Sequence, residues 1–171
     1  MAVKQFNFQP RRIGSLIGCR SMNFLLVTTP HFDQDGANKS ARAIFEERIS
    51  KNRWAIYTHT RNKKRLRKND NVIFYVSNLK TGGEVVARAK IFELIRPKRY
   101  ERFEVEKDTV EFFLSFDSLD FFETPVLFKD VLPKMSFCPS NITKWGVVLI
   151  GGVRYLSDRD FKILTNQTLK I

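Results

Sequence analysis

Cysteine and histidine are both scarce in this chain, and each scarcity removes a class of chemistry. The two cysteines among 171 residues, Cys19 and Cys138, lie far apart in no CxxC spacing, which excludes zinc-ribbon and thioredoxin-type arrangements. They are expected as reduced thiols in a cytoplasmic protein that folds without staples. The only histidines, His31 and His59, form no HExxH or HxxxH arrangement, so no metal site is expected. Also missing are GxSxG, the P-loop and GxGxxG; Gly82-Gly83 and Gly151-Gly152 read as turns or points of close backbone approach. No enzyme and no cofactor are read from these residues. No apolar run approaches the roughly 18 to 20 residues of a membrane span, and the apolar stretch before Leu16-Ile17-Gly18-Cys19 is too short for an export signal.

What is present is a core and a charge. Hydrophobic residues make up 43% of the chain and phenylalanine alone numbers 16, which places it well outside the composition of disordered chains. Its length suits one domain. Net charge is +12, and the charge is segregated. Between 103 and 130, eight acids face two bases, a local net of −6 that leaves +18 for the rest. A cationic face of this kind suits a polyanionic partner such as nucleic acid, although a merely solvated basic surface has the same composition.

Along the chain, residues 1–22 read as a basic extension, followed by a domain over 23–171. Asn23 to Thr29 is a continuous apolar run stopped by Pro30, the pattern of a buried strand. His31 to Lys39 is turn chemistry, and 40–51 places Ile44, Phe45 and Ile49 on one helical face. Trp54 to Tyr57 is a second strand, and 58–68 a basic loop or single helical turn. An Asn69-Asp70 turn leads into alternation of Val72, Phe74 and Val76 with Ile73, Tyr75 and Ser77, which returns after Gly82-Gly83 as a hairpin. Further strands are expected at 109–116, 125–128 and 145–150, and a helical turn at 131–135. Ser157 caps a closing helix with Asp160 near the capping-box position. The phenylalanines between 103 and 128 read as core. Many short strands with a few short helices predict an α+β fold, a curved or barrel-like mixed sheet with helices at its rim.

One stretch, Arg53 to Ile91, joins an aromatic to a cationic element. Trp54 is either a stacking surface or a core side chain, and stacking on an aromatic face holds any base. Arg61, Lys63, Lys64, Arg65, Arg67 and Lys68 put six bases within eight residues, a density suited to phosphate contacts. Thr28, Thr29, Tyr75 and Ser77, at or near strand ends, offer hydroxyls to read the edge of a base.

Trp54, then Asn69-Asp70, then Val72-Ile73-Phe74-Tyr75-Val76-Ser77, resembles the central pattern of EVE domains in the PUA-like superfamily. There a Trp-Gly precedes a basic segment, a Gly-Asp turn and a strand ending in a Tyr-His-Ser-like triplet. Val85 to Ile91 is similar to the returning strand, Phe24 to Pro30 to the first strand, and Trp145 to Leu164 to the last strand and closing helix. Ala55, Asn69 and Val76 stand where the pattern has glycine, glycine and histidine. The resemblance covers Asn23 to Thr165. It implies a PUA-like pseudo-barrel that accepts a modified base, chiefly cytosine or adenine in DNA, in a pocket beside the first strand. Trp54 would be the pocket wall, Thr28 and Thr29 the polar end of the first strand, Tyr75 and Ser77 the triplet, and Trp145 would join them from the last strand. Related YTH domains read methylated adenine in RNA. An RNA-binding PUA-like domain, or an ASCH-type enzyme with lysine and carboxylate converging in the pocket, are the alternatives.

Overall fold

A computed structural model describes residues 20–32, 38–78, 80–97 and 110–166, the side chain of Phe32 excepted. Residues 1–19 of the basic extension, Cys19 among them, and Phe103 with the acids at 104, 106 and 108 lie outside the described residues. The first strand, β1 (Asn23–Thr28), is buried at all six positions, as expected of an apolar run covered on both faces. It pairs in parallel with β5 (Asn71–Val76) and antiparallel with β8 (Val153–Leu156). The hairpin of β5 and β6 (Glu84–Ile95) forms as the alternation predicts, and β7 (Val110–Leu127) joins β6 to β4 (Trp54–Tyr57). The result is one mixed six-stranded sheet in the order β4-β7-β6-β5-β1-β8. It curls into a half-barrel with short helices around it, the α+β, PUA-like architecture that the sequence implies.

Period-two alternation sorts the side chains into two cores. Phe24 and Leu26 of β1 with Val72, Phe74 and Val76 of β5 face one core, where Trp54, Phe116 and the helix α1 (Ala41–Ser50) also contribute. Leu25, Val27, Ile73 and Tyr75 face the other, with Phe122, Phe128, Leu156 and Leu164. Ser40 caps α1 by accepting from the Ala43 amide at 3.2 Å. The expected turn at His31 to Lys39 contains a short ribbon of β2 (His31–Phe32) and β3 (Asn38–Lys39).

The glycine-to-asparagine departure at position 69 is structurally absorbed. Asn69 sits at φ 70°, a left-handed conformation that asparagine tolerates better than other non-glycine residues. Buried Asp70 then accepts from the Met22 and Arg67 amides at 2.9 and 2.8 Å, which ties the start of β1 to the end of the basic loop.

Two strand expectations need correction. The separate strands at 109–116 and 125–128 are one long irregular strand, β7, because three register shifts against β6 absorb its irregular spacing. The expected strand at 145–150 is a 3-10 helix, Ile142–Leu149, and the true last strand follows at Val153–Leu156. A short apolar run has no periodicity that separates strand from helix; here Asn141 caps the helix by accepting from the Thr143 amide at 3.0 Å. The phenylalanine stripe is mostly core, with Phe116, Phe122 and Phe128 buried, whereas Phe121 is 37% exposed.

Phe128–Val131, helix α2, and a 3-10 turn at Leu132–Lys134 lead toward Ser136, which helps hold the closing helix α3 (Asp158–Thr165). Asp160, fully buried, accepts from the Ser136 amide and hydroxyl at 2.8 and 2.5 Å and from the Ser157 hydroxyl at 2.7 Å. Burial pushes its carboxyl up, but the hydrogen bonds from Ser136 and Ser157 together outweigh it and hold the group below its ordinary value of 3.8. A depressed folded-state value means that ionised Asp160 stabilises the fold at neutral pH and ceases to as pH falls through that value. Asp160→Asn should therefore cost about 2 kcal/mol at pH 7. In urea unfolding, its deficit against the parent chain should shrink below about pH 4; a deficit that is constant with pH would contradict this account.

Candidate nucleic-acid interface

The curled sheet does not close by strand pairing, because β4 and β8 are its two edges. The loop after β4 crosses between them: the Arg61 amide donates to Gly151 O at 3.0 Å and the Asn62 side chain to Val153 O at 3.0 Å. Gly151 has φ 101°, and a Cβ there would fall 2.6 Å from Cγ and Cδ of Arg61. A bare backbone at this position lets the Arg61 stem cross.

Above this crossing lies a cleft of about 440 Å³. Val27, Thr29 and His31 bound it at the end of β1, Arg48 of α1 at its inner side, and Tyr57, His59, Thr60 and Arg61 along the β4 edge. Leu149 to Gly152 complete it. Local sequence explains the β4 wall. Thr60 Oγ1 accepts from the Tyr57 amide at 3.0 Å while the Thr60 amide donates to Tyr57 O at 3.0 Å. The tight turn brings the His59 ring nearly parallel to that of Tyr57, 11° apart with centroids at 5.9 Å. Arg48 Nη2 donates to the Tyr57 hydroxyl at 3.2 Å, and the same guanidinium lies 5.1 Å from the centroid of Trp54. Two arginines and two histidines line the cleft, and no carboxylate does among the described residues. The site therefore favours a planar ligand that carries negative charge.

The expected site residues fall in three places. Thr29 and Arg61 reach the cleft. Trp54 does not line it: the ring is 2% exposed and packed among Phe45, Phe74 and Phe116. Of its two readings, the structure gives the core one, and Tyr57 at the other end of the same strand takes the half-buried position. Thr28, next to Thr29 in sequence, is buried, and its hydroxyl has no hydrogen-bond partner among the described residues. Tyr75, Ser77 and Trp145 do not line the cleft, and Tyr75 and Trp145 pack in the second core. Tyr75 donates to Gly82 O at 2.9 Å and packs on Phe128, which also touches Trp145. Burial pushes the Tyr75 phenol up to about 12, against a smaller lowering by its hydrogen bond with Ser77. A Cβ on Gly83, at φ 84°, would meet that hydroxyl at 2.2 Å, so the hairpin glycine serves the packing of Tyr75.

The basic run divides in the same manner. Lys63 pairs with Glu111, Arg67 donates to Lys64 O and Leu66 O, Arg65 lies over Tyr155 and Lys68 over Phe92. Arg61 faces the cleft and Lys64 is exposed beside the run. The residues that the sequence reading missed are Arg48, Tyr57, His31, His59 and Thr60. An aromatic at a strand end followed by Thr-His-Thr was their one available signal; His31 and His59 carry no shared motif.

No family model matches the chain, and no curated protein matches it. Among solved structures, the chain is similar to Rpa0253 from Rhodopseudomonas palustris, an NMR structure, with TM-score 0.47 and 16% identity over 84% of this chain and 90% of that one. Atu2648 from Agrobacterium tumefaciens, a crystal structure, gives TM-score 0.45 and 17% identity with the same coverage. Both are structural genomics targets. Among the described residues, no helix is long and apolar enough to cross a membrane.

The distinction between Trp54 and Tyr57 is measurable. Trp54→Ala should lower stability by about 3 to 5 kcal/mol, the usual cost of emptying a buried aromatic site. Tyr57→Phe, which keeps the ring, should stay within about 1.5 kcal/mol of the parent chain. Equal stability of the parent and Trp54→Ala in denaturant titration would place the indole outside the core.

Proposed function

We propose that the chain is a nucleic-acid-binding reader of the EVE, PUA-like kind, which accepts a flipped, modified base in the cleft at the open seam. The carrying observation is the composition of that cleft: nearly parallel Tyr57 and His59 rings beside Arg48, Arg61 and the Thr29 and Thr60 hydroxyls, with no carboxylate among its described lining. The rings offer a stacking face, the hydroxyls and backbone groups read the edge of a base, and the arginines meet the adjoining phosphate. A volume of about 440 Å³ lies within the roughly 300 to 1,000 Å³ of small-ligand sites. The net charge of +12 supports the same class of partner. Modified cytosine or adenine in DNA is the ligand that the order of motifs implies, and in this reading Tyr57 replaces Trp54 as the wall. The ASCH-type alternative needs a lysine and a carboxylate converging; the described lining has arginine and histidine instead.

Binding should be measured against plain and modified oligonucleotides, duplex DNA and single-stranded RNA alike, across a salt series. Tyr57→Ala should erase preference for the modified base, a loss of about five- to 150-fold at one stacked base. Lys64→Ala should weaken every ligand alike and lower the salt slope by about one. Equal loss of plain and modified ligands in Tyr57→Ala, or affinity independent of salt, would remove this reading.

A further inference from the structure

The 3-10 segment Ile142–Leu149 is kinked at Lys144, and the turn after the kink has an inner side and an outer, exposed aliphatic side. Inward, Trp145 packs on Phe128 and Val148 is buried, while Arg154 Nη1 donates to Val148 O at 2.8 Å. Outward, Val147 and Ile150 are 59% and 58% exposed. The Ile150 amide donates to Val147 O at 3.3 Å, and side chains three apart in a 3-10 turn lie one over the other. Val147 therefore stands above Ile150, and Ile150 is itself part of the cleft wall next to Arg61. Between the two sides is Gly146, exposed and at a negative φ, where a Cβ would meet nothing within 4 Å. Neither packing nor backbone conformation requires glycine at that point. A bare, exposed backbone fits close approach by an external surface.

We propose that Val147 and Ile150 form a wedge that enters the base stack of a duplex beside the base held in the cleft, which makes double-stranded nucleic acid the substrate form. This rests on the base-binding reading above and adds what that reading leaves open, namely how a paired base is taken from the helix. Aliphatic side chains inserted between base steps unstack them and hold the duplex open, and a paired base must leave the stack before a cleft can receive it. Three features favour a base stack as occupant. The aliphatic edge is continuous with the cleft through Ile150; it borders Arg61 and a lining that holds no carboxylate among the described residues. Even with Ile142, 47% exposed on the same segment, the apolar face is far too small for a stable protein partner, which needs roughly 800 Å² on each side. The segment is fixed at three points, by Trp145, Val148 and the Arg154 hydrogen bond, so a wedge here is preorganised.

The test uses the full chain with a DNA duplex that holds one modified cytosine next to 2-aminopurine, and with the modified strand alone. Val147→Asn and Gly146→Gln change exposed positions that do not line the cleft, and both are expected to fold. Each should bind the single strand within about twofold of the parent chain but lose about tenfold on the duplex. Each should also lose the rise in 2-aminopurine fluorescence that reports unstacking. Unchanged duplex binding and fluorescence in both variants would overturn the wedge, and would leave the apolar edge to another partner. Equal loss on duplex and single strand would overturn it as well, since the helix would then act only as part of the base site. If the parent chain binds neither strand form, the base-binding reading fails first and the wedge falls with it.

Discussion

Two hydrogen bonds, from the Arg61 amide to Gly151 O and from the Asn62 side chain to Val153 O, span the gap where the curled sheet runs out of strands, and Arg65 over Tyr155 crosses it as well. Edge strands have unpaired backbone groups that must be covered or satisfied. Here the basic loop covers them at one level only, and the space above that level is the cleft. Residues from both sheet edges, from the end of β1 and from α1 converge there without being near in sequence. The glycine at 151 is what allows the Arg61 stem to lie against the β8 side. Shape, charge and closure of the fold are thus settled at one crossing.

The distribution of cations follows from the same geometry. Much of the basic run is used internally: Lys63 on Glu111, Arg67 on backbone carbonyls, Arg65 and Lys68 on aromatic faces. Such contacts on exposed side chains are individually worth little, but they fix where each charge points. Arg61 and Arg48 reach the cleft together with both histidines, whereas among the acids of β7 Glu111 pairs with Lys63 and Asp120 with Arg88, and neither lines the cleft. A chain with a large net charge thereby acquires a local site whose described charged lining residues are all basic. The aliphatic edge at Val147 and Ile150 adjoins that site rather than the acidic strand.

β5 and β6 were legible because period-two alternation is a local property of the chain, and β1 because an apolar run stopped by proline is one too. The capped helices at Ser40 and Ser157 were legible for the same reason, since their hydrogen bonds are made within three residues. The segment at 145–150 was not legible, since an apolar run of six suits a buried strand and a 3-10 helix equally. Only its Asn141 cap and its packing on Phe128 separate the two. The long β7 was divided in expectation for a related reason: bulges interrupt the pattern without interrupting the strand.

For the site, residue type indicated an aromatic beside a cationic loop but could not say which aromatic faces out. Trp54 and Tyr57 lie on one short strand, and the side that each presents depends on α1 and β7 packing over Trp54 while Tyr57 stands at the strand's open end. The sequence alone determined the α+β sheet, the charge segregation and the capped helices, because these depend on neighbours a few residues apart. Tertiary structure alone decided which hydroxyls, rings and cations meet, because the cleft is assembled from four separated segments across the seam that the curled sheet leaves open.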